Sequence, residues 1–386
     1  MVSDKIFSNR EEWSAATWHS FPIRQVVEYN DIDLLTDILS KLKQFSPLVT
    51  YSSILEVRRR LGAVISNRGF LLQVGDCAES LKTKEYACDY SMEMSRFIDK
   101  LASMLVRGTD KECISFARMA GQMAKPRSAI DAGDVLYRGD LINSYVVIDG
   151  NAADPKRMLS GYDYCYNVIK AARKHIYFCH EALLLPYEES LVRQEGKYFY
   201  ASSTHMLWVG ERTRQLDHAH IEFCRGLINP IGVKISQHVT IDELVKLHDI
   251  LNPNNELDKL IFINRMGANE INKVLPALLN KWKGLNRNAI WICDPMHGNT
   301  SMYECRKTRQ IEEIKSEIKS FFTICKDNNV HPSGLHLEAS YENVTECIDG
   351  NLVSNLEKQY TTYCDPRLNH YQAMDIIEYT RQFIEG

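Results

Sequence analysis

Short apolar, β-leaning runs recur along the chain, each ending near a glycine, a cysteine or a charged residue. Eight such runs lie at 70–75, 113–118, 176–180, 206–210, 231–235, 260–264, 289–293 and 334–338. The stretches between them are longer and helix-compatible, as at 241–251, where apolar residues return at helical spacing. This alternation predicts an α/β chain folded as a (β/α)8 TIM barrel. The segment before the first run is also helix-compatible, so an N-terminal helical extension is expected over residues 1–60 and the catalytic barrel over 61–386. No low-complexity block, long linker or internal repeat interrupts the chain.

The barrel reading has a consequence inside the sequence, because the chemistry of this fold gathers at the carboxyl ends of the strands. Reactive residues do fall there. Cys77 follows the first run, Arg118 ends the second, Glu211 and Arg212 follow the fourth, and Lys234 ends the fifth. Arg265 follows the sixth, His297 the seventh, and Glu338 ends the eighth. A doubly wound open sheet, the competing arrangement, would distribute them less evenly. Residues 291–300 show the pattern most clearly: an apolar strand runs out through Asp294-Pro295 into a loop that presents His297.

Composition narrows the chemistry. With 386 residues, 45% hydrophobic and 25% charged, the chain is long enough to bury a large core. A formal charge of −4 excludes the one-sign basic surface of a nucleic-acid binder. There is no run approaching the ~20 apolar residues that span a bilayer, and the first residues lack a secretory pattern, so a cytoplasmic chain is expected. Eleven cysteines without a C-x-x-C pair are then read as reduced thiols, most of them small core residues.

Closing a barrel makes strands seven, eight and one neighbours, which would bring His297, Glu338 and Cys77 together. Asp365, in a second Cys-Asp-Pro, is the fourth candidate. Thiolate, imidazole and carboxylate donors suit a divalent transition ion such as Mn, Co, Fe or Zn better than Mg or Ca. Taken singly, each residue has a plainer reading: a core thiol, a loop histidine, a turn-forming aspartate. Six cations, Arg118, Lys125, Arg127, Arg212, Lys234 and Arg265, share the same rim, with Ser128 beside them. Solvated surface charge is the plain alternative; an anionic ligand carrying phosphate and carboxylate is the functional one.

These motifs resemble the class II 3-deoxy-D-arabino-heptulosonate 7-phosphate (DAHP) synthases. The resemblance runs through residues 71–79, 118–128, 180–185, 208–215, 229–234, 264–267, 294–300, 344–347 and 364–369. It implies a metal-dependent barrel enzyme condensing phosphoenolpyruvate with erythrose 4-phosphate at the start of the shikimate pathway. It also implies Cys77, His297, Glu338 and Asp365 as ligands of Mn2+ or Co2+, with Fe2+ or Zn2+ as alternatives. Arg118, Glu211 and Lys234 take catalytic places; together with Arg212 and Arg265 they match the phosphoenolpyruvate site. Lys125, Arg127 and Ser128 lie toward the aldose phosphate. A cytoplasmic homo-oligomer, a dimer, is the implied assembly, with no nucleic-acid or membrane partner.

The chain departs from the family pattern at Ile235-Ser236-Gln237 after Lys234, at Val74 and at Ala339-Ser340. It is similar in length to shorter members from secondary metabolism, such as phenazine pathways, which implies weak or absent feedback by aromatic amino acids. Two alternatives stay open: a paralogue using an amino or imino aldose phosphate, and a non-catalytic barrel partner. Cys364, next to Asp365, is expected close to Cys77, where oxidation of the pair would eject a metal.

Overall fold

The computed structural model describes residues 13–125, 137–144, 152–350 and 358–384. All eight predicted runs are strands: β1 (Gly69–Gly75), β2 (Glu112–Arg118), β3 (Tyr177–Glu181), β4 (Met206–Val209), β5 (Ile231–Ile235), β6 (Leu260–Asn264), β7 (Ile290–Cys293) and β8 (Pro332–Glu338). They pair in parallel and in chain order, and β1 closes against β8, so the sheet is a barrel and not an open doubly wound sheet. At the closing seam Gly75 stands opposite both Arg118 and Glu338, which sets three strand ends at one level.

Ten helices accompany the strands in the described residues: α1 (Ile32–Gln44), α2 (Tyr51–Ile65), α3 (Lys84–Leu105), α4 (Arg157–Ala171), α5 (Leu185–Ser190), α6 (Ala219–Arg225), α7 (Ile241–Leu251), α8 (Ile271–Trp282), α9 (Ile311–Asp327) and α10 (His370–Arg381). Their starts follow from the sequence. Asp31 caps α1 by accepting from Leu34 N at 2.8 Å, and Thr50 with Ser53 forms a capping box on α2.

The strands are buried on both faces, which is why they read as near-continuous apolar runs. Alternate residues form a separate inner cluster: Leu71, Ile114, Phe116, Tyr177, Cys179, Met206, Trp208, Ile261, Ile263, Ile290 and Ile292. Val57, Leu61 and Val64 of α2 join it, so one face of this helix packs as the floor of the barrel. Arg58 on the same helix pairs with Asp258 (2.6 Å) and Glu256 (2.9 Å), just before β6. The predicted division at residue 60 therefore falls inside α2, because helical spacing continues unbroken through it.

Two antiparallel hairpins were not foreseen among the barrel runs. One pairs Val192–Glu195 with Tyr198–Ala201, and the other pairs Thr300–Tyr303 with Arg306–Arg309. The second begins three residues after His297 and lies over the mouth of the barrel, where its last strand reaches the candidate site.

Candidate active site and metal centre

Along the inner face, side chains change from apolar near the floor to ionisable at the carboxyl ends. In β2 the sequence Ile114, Phe116, Arg118 makes that change within one strand, and in β8 it runs Gly334, His336, Glu338. Barrel closure then does what the chain order cannot: donor atoms of Cys77, His297, Glu338 and Asp365 all lie within 4.8 Å of one another. His297 Nε2 is 3.1 Å from Glu338 Oε1, and Cys77 Sγ is 3.5 Å from Asp365 Oδ2. Donors bound to one ion at ~2.0–2.3 Å in tetrahedral geometry stand roughly 3.3–3.8 Å apart; the 3.1 and 3.5 Å contacts lie near that range, and the four donors are close enough together to share one divalent ion.

Each donor is aimed by a second residue. Asp294, fully buried, forms the turn by accepting from Met296 N and His297 N, and its Oδ2 lies 2.7 Å from His297 Nδ1. That contact turns Nε2 toward Glu338 and Cys77, the carboxylate–imidazole arrangement common behind metal-bound histidines. Glu338 is flanked by two buried guanidiniums, Arg118 at 2.8 Å and Arg309 at 2.7 Å. Asp365 pairs with Lys307 at 2.8 Å. Arg367 links the outer loops: it meets Asp76, the neighbour of Cys77, at 2.6 Å and Glu346 at 2.7 Å.

The electrostatics favour a cation at this point. Burial works against an ionised Glu338, yet His297, Arg309 and Arg118 hold its carboxyl well below the usual range. Burial works in the same direction on Asp365, and Arg309, His297 and Lys307 again bring it down. Burial would lower His297, but Asp294 and Glu338 outweigh it and push the imidazole up to about 9. A hydrogen bond with Cys364, followed by burial, raises the Cys77 thiol well above its ordinary range. Cys364 is thus at the side of Cys77, as the sequence led us to expect, although coordination itself would deprotonate the thiol.

The expected cations are placed less uniformly. Lys234 is buried at the centre, 3.1 Å from Asp294 Oδ2 and 3.3 Å from both ring nitrogens of His297; burial pushes its ammonium down, and Asp294 opposes that. Arg265 donates to His297 O at 3.0 Å. Lys125 is buried and donates to Gln122 Oε1 at 3.2 Å. Its segment is held by Glu79, whose carboxylate accepts from Ala120, Gly121 and Gln122 N at 2.7–2.9 Å. Arg118 reaches inward to Glu338 and over the Trp208 ring. Glu211 accepts from Arg214 at 2.9 Å and from Ser236 Oγ at 2.6 Å, and Arg212 is exposed beside it. Arg127 and Ser128 lie outside the described residues.

Sequence reasoning did not single out Arg309, Lys307, His336 or Glu79. His336 sits inside β8, where its Nδ1 is 2.9 Å from Gln73 Oε1 and its ring lies 6.0 Å from that of His297. A histidine in a strand interior gives no positional signal. Arg309 sits in a polar stretch that reads as loop until the hairpin folds it back.

Comparisons with known proteins identify the family and the fold. The class-II DAHP synthetase family matches residues 13–175 and 166–379. A phospho-2-dehydro-3-deoxyheptonate aldolase of Streptomyces coelicolor is 33% identical, over 93% of this chain and 95% of its own length. The aldolase of the same name from Neurospora crassa is 32% identical over 97% and 95%. A solved aldolase structure from Francisella tularensis shares the fold, with TM-score 0.56 and 16% identity over 90% of this chain and 96% of that one. The chain belongs to the class-II DAHP synthetase family.

Proposed function

We propose that this chain condenses phosphoenolpyruvate with erythrose 4-phosphate and water to give DAHP and phosphate, with Cys77, His297, Glu338 and Asp365 holding a divalent metal. The observation that carries this is the meeting of four donors within 4.8 Å beside a buried lysine and two arginines. Sulfur and imidazole in the donor set favour a divalent transition ion over Mg2+ or Ca2+, and the family resemblance supports Mn2+ or Co2+, with Fe2+ and Zn2+ next. Bound there, the ion supplies Lewis acidity toward the aldehyde oxygen.

The protein's own groups account for the remaining steps. C3 of phosphoenolpyruvate attacks the aldehyde carbon, forming the new C–C bond and leaving negative charge on the aldehyde oxygen. Lys234 Nζ, central in the site, donates the proton that neutralises it. Water then adds at C2 and gives up a proton, and the C2–O bond breaks as phosphate departs. Two polyanions must lie side by side, so Arg118, Arg212, Lys234 and Arg265 offset their repulsion on the phosphoenolpyruvate side. Glu211 holds the Arg212 turn through Arg214 and Ser236. Lys125, with Arg127 and Ser128, takes the aldose phosphate.

Incubation with phosphoenolpyruvate and a panel of aldose phosphates tests the proposal. Equal release of phosphate and seven-carbon product with erythrose 4-phosphate supports it; turnover only with an amino or imino sugar phosphate replaces the acceptor, and no turnover with any defeats it. The family resemblance also supports a cytoplasmic homodimer, checked by sizing in solution and by fractionation. Among the described residues no helix is long and apolar enough to cross a membrane.

A further inference from the structure

Behind the barrel mouth, one carboxylate from α9 is shared by two loops that serve different halves of the site. Glu317 is fully buried. Its Oε1 accepts from Met266 N at 3.0 Å and Gly267 N at 2.8 Å, in the loop that begins with Arg265. Its Oε2 accepts from Asn299 Nδ2 at 2.7 Å, in the turn that carries His297. Asn299 completes the link by donating to Pro295 O at 2.8 Å and accepting from Ala268 N at 2.9 Å. Directly in front, Arg265 donates to His297 O.

The two loops also touch without side chains between them. A Cβ on Gly298 would stand 2.3 Å from Gly267 N, and Gly267 has φ +86°, so glycine is required on both sides of the contact. Every partner of Glu317 is an N–H donor, so the carboxylate is satisfied only while both loops are in place. Three donors and two carboxylate oxygens that would otherwise be orphaned in the interior are paired by this one arrangement.

We propose that Glu317 is a positioning residue that locks the Arg265 loop to the His297 turn, so that phosphoenolpyruvate affinity and metal affinity rise and fall together. This rests on the reading of His297 as a metal ligand and Arg265 as a substrate cation. Glu317→Gln presents an amide N–H to Asn299 Nδ2 or to the two backbone donors, and so cannot satisfy all three contacts. The linkage predicts reciprocal effects: a lesion here weakens each ligand and reduces the factor by which one tightens the other.

The test measures Co2+ binding through thiolate-to-metal charge-transfer absorbance, and phosphoenolpyruvate binding by calorimetry with and without Co2+, in wild type, Glu317→Gln and Asn299→Ser. About tenfold weaker binding of each ligand, with a smaller mutual enhancement, is expected in both variants. A variant that melts earlier but, while folded, binds both ligands with wild-type affinity and enhancement would overturn the proposal, since that is what a purely structural carboxylate would give. If Glu317→Gln does not fold, Asn299→Ser decides on the same criteria. Absence of the charge-transfer band in wild type would instead defeat the metal reading on which the proposal stands.

Discussion

His297 is held at both ring nitrogens, with Asp294 at 2.7 Å on Nδ1 and Glu338 at 3.1 Å on Nε2. The roles of the two carboxylates differ, since Glu338 would share the ion while Asp294 only aims the ring and balances its charge. Asp294→Asn keeps the shape of the turn and removes that charge, so metal affinity should fall by roughly 10–100-fold with the fold retained; a metal titration beside a circular dichroism spectrum checks both. His297→Ala and Cys77→Ser each remove a donor and should abolish stoichiometric Co2+ binding as well as turnover. The candidate donors Cys77 and His297 were legible in the sequence because each stands just past an apolar strand. Asp294 was legible only as a turn former, since the same residue that bends the chain also reaches the imidazole and Lys234.

At the scale of elements, the strands were readable because burial on both faces leaves an uninterrupted apolar run, and β5 and β6 have the bounds their sequence suggests. The hairpin of Thr300–Tyr303 and Arg306–Arg309 was not. Its turn residues, Glu304 and Cys305, take positive φ without the glycine or asparagine that marks such turns. Yet this hairpin delivers Arg309 to Glu338, Pro366 O and Thr300, and Lys307 to Asp365. Arg309→Met should leave Glu338 buried with one cation fewer and destabilise the fold by about 3–5 kcal/mol, read as a lower denaturant midpoint. At the opposite end, Leu61→Ala opens a cavity in the floor formed by α2. It should cost about 2–5 kcal/mol, while Co2+ affinity in the folded protein stays at the wild-type value.

For the whole molecule, closure of β1 on β8 is the event that makes a site, because it joins Cys77 to residues more than two hundred positions later. That closure followed from counting eight strands; the tethers behind it did not, since contacts among α9, the β6 loop and the β7 turn leave no periodic trace. The fold also carries a sensitivity to acid. His205 is buried, accepts from Phe178 N at 3.1 Å on Nδ1, and burial lowers it to about 3. The unfolded chain takes up this proton first, so the stability it contributes is present above about pH 6.5 and is lost as pH falls toward 3. At pH 5 the loss is about 2 kcal/mol, and His205→Gln should flatten the fall in denaturant midpoint between pH 7 and pH 5. The central claim, a metal-dependent synthase built on Cys77, His297, Glu338 and Asp365, is tested most directly by phosphoenolpyruvate consumption with erythrose 4-phosphate before chelation, after it, and after adding Mn2+ or Co2+. The account predicts turnover that chelation removes and either ion restores; full turnover in metal-free protein would contradict it.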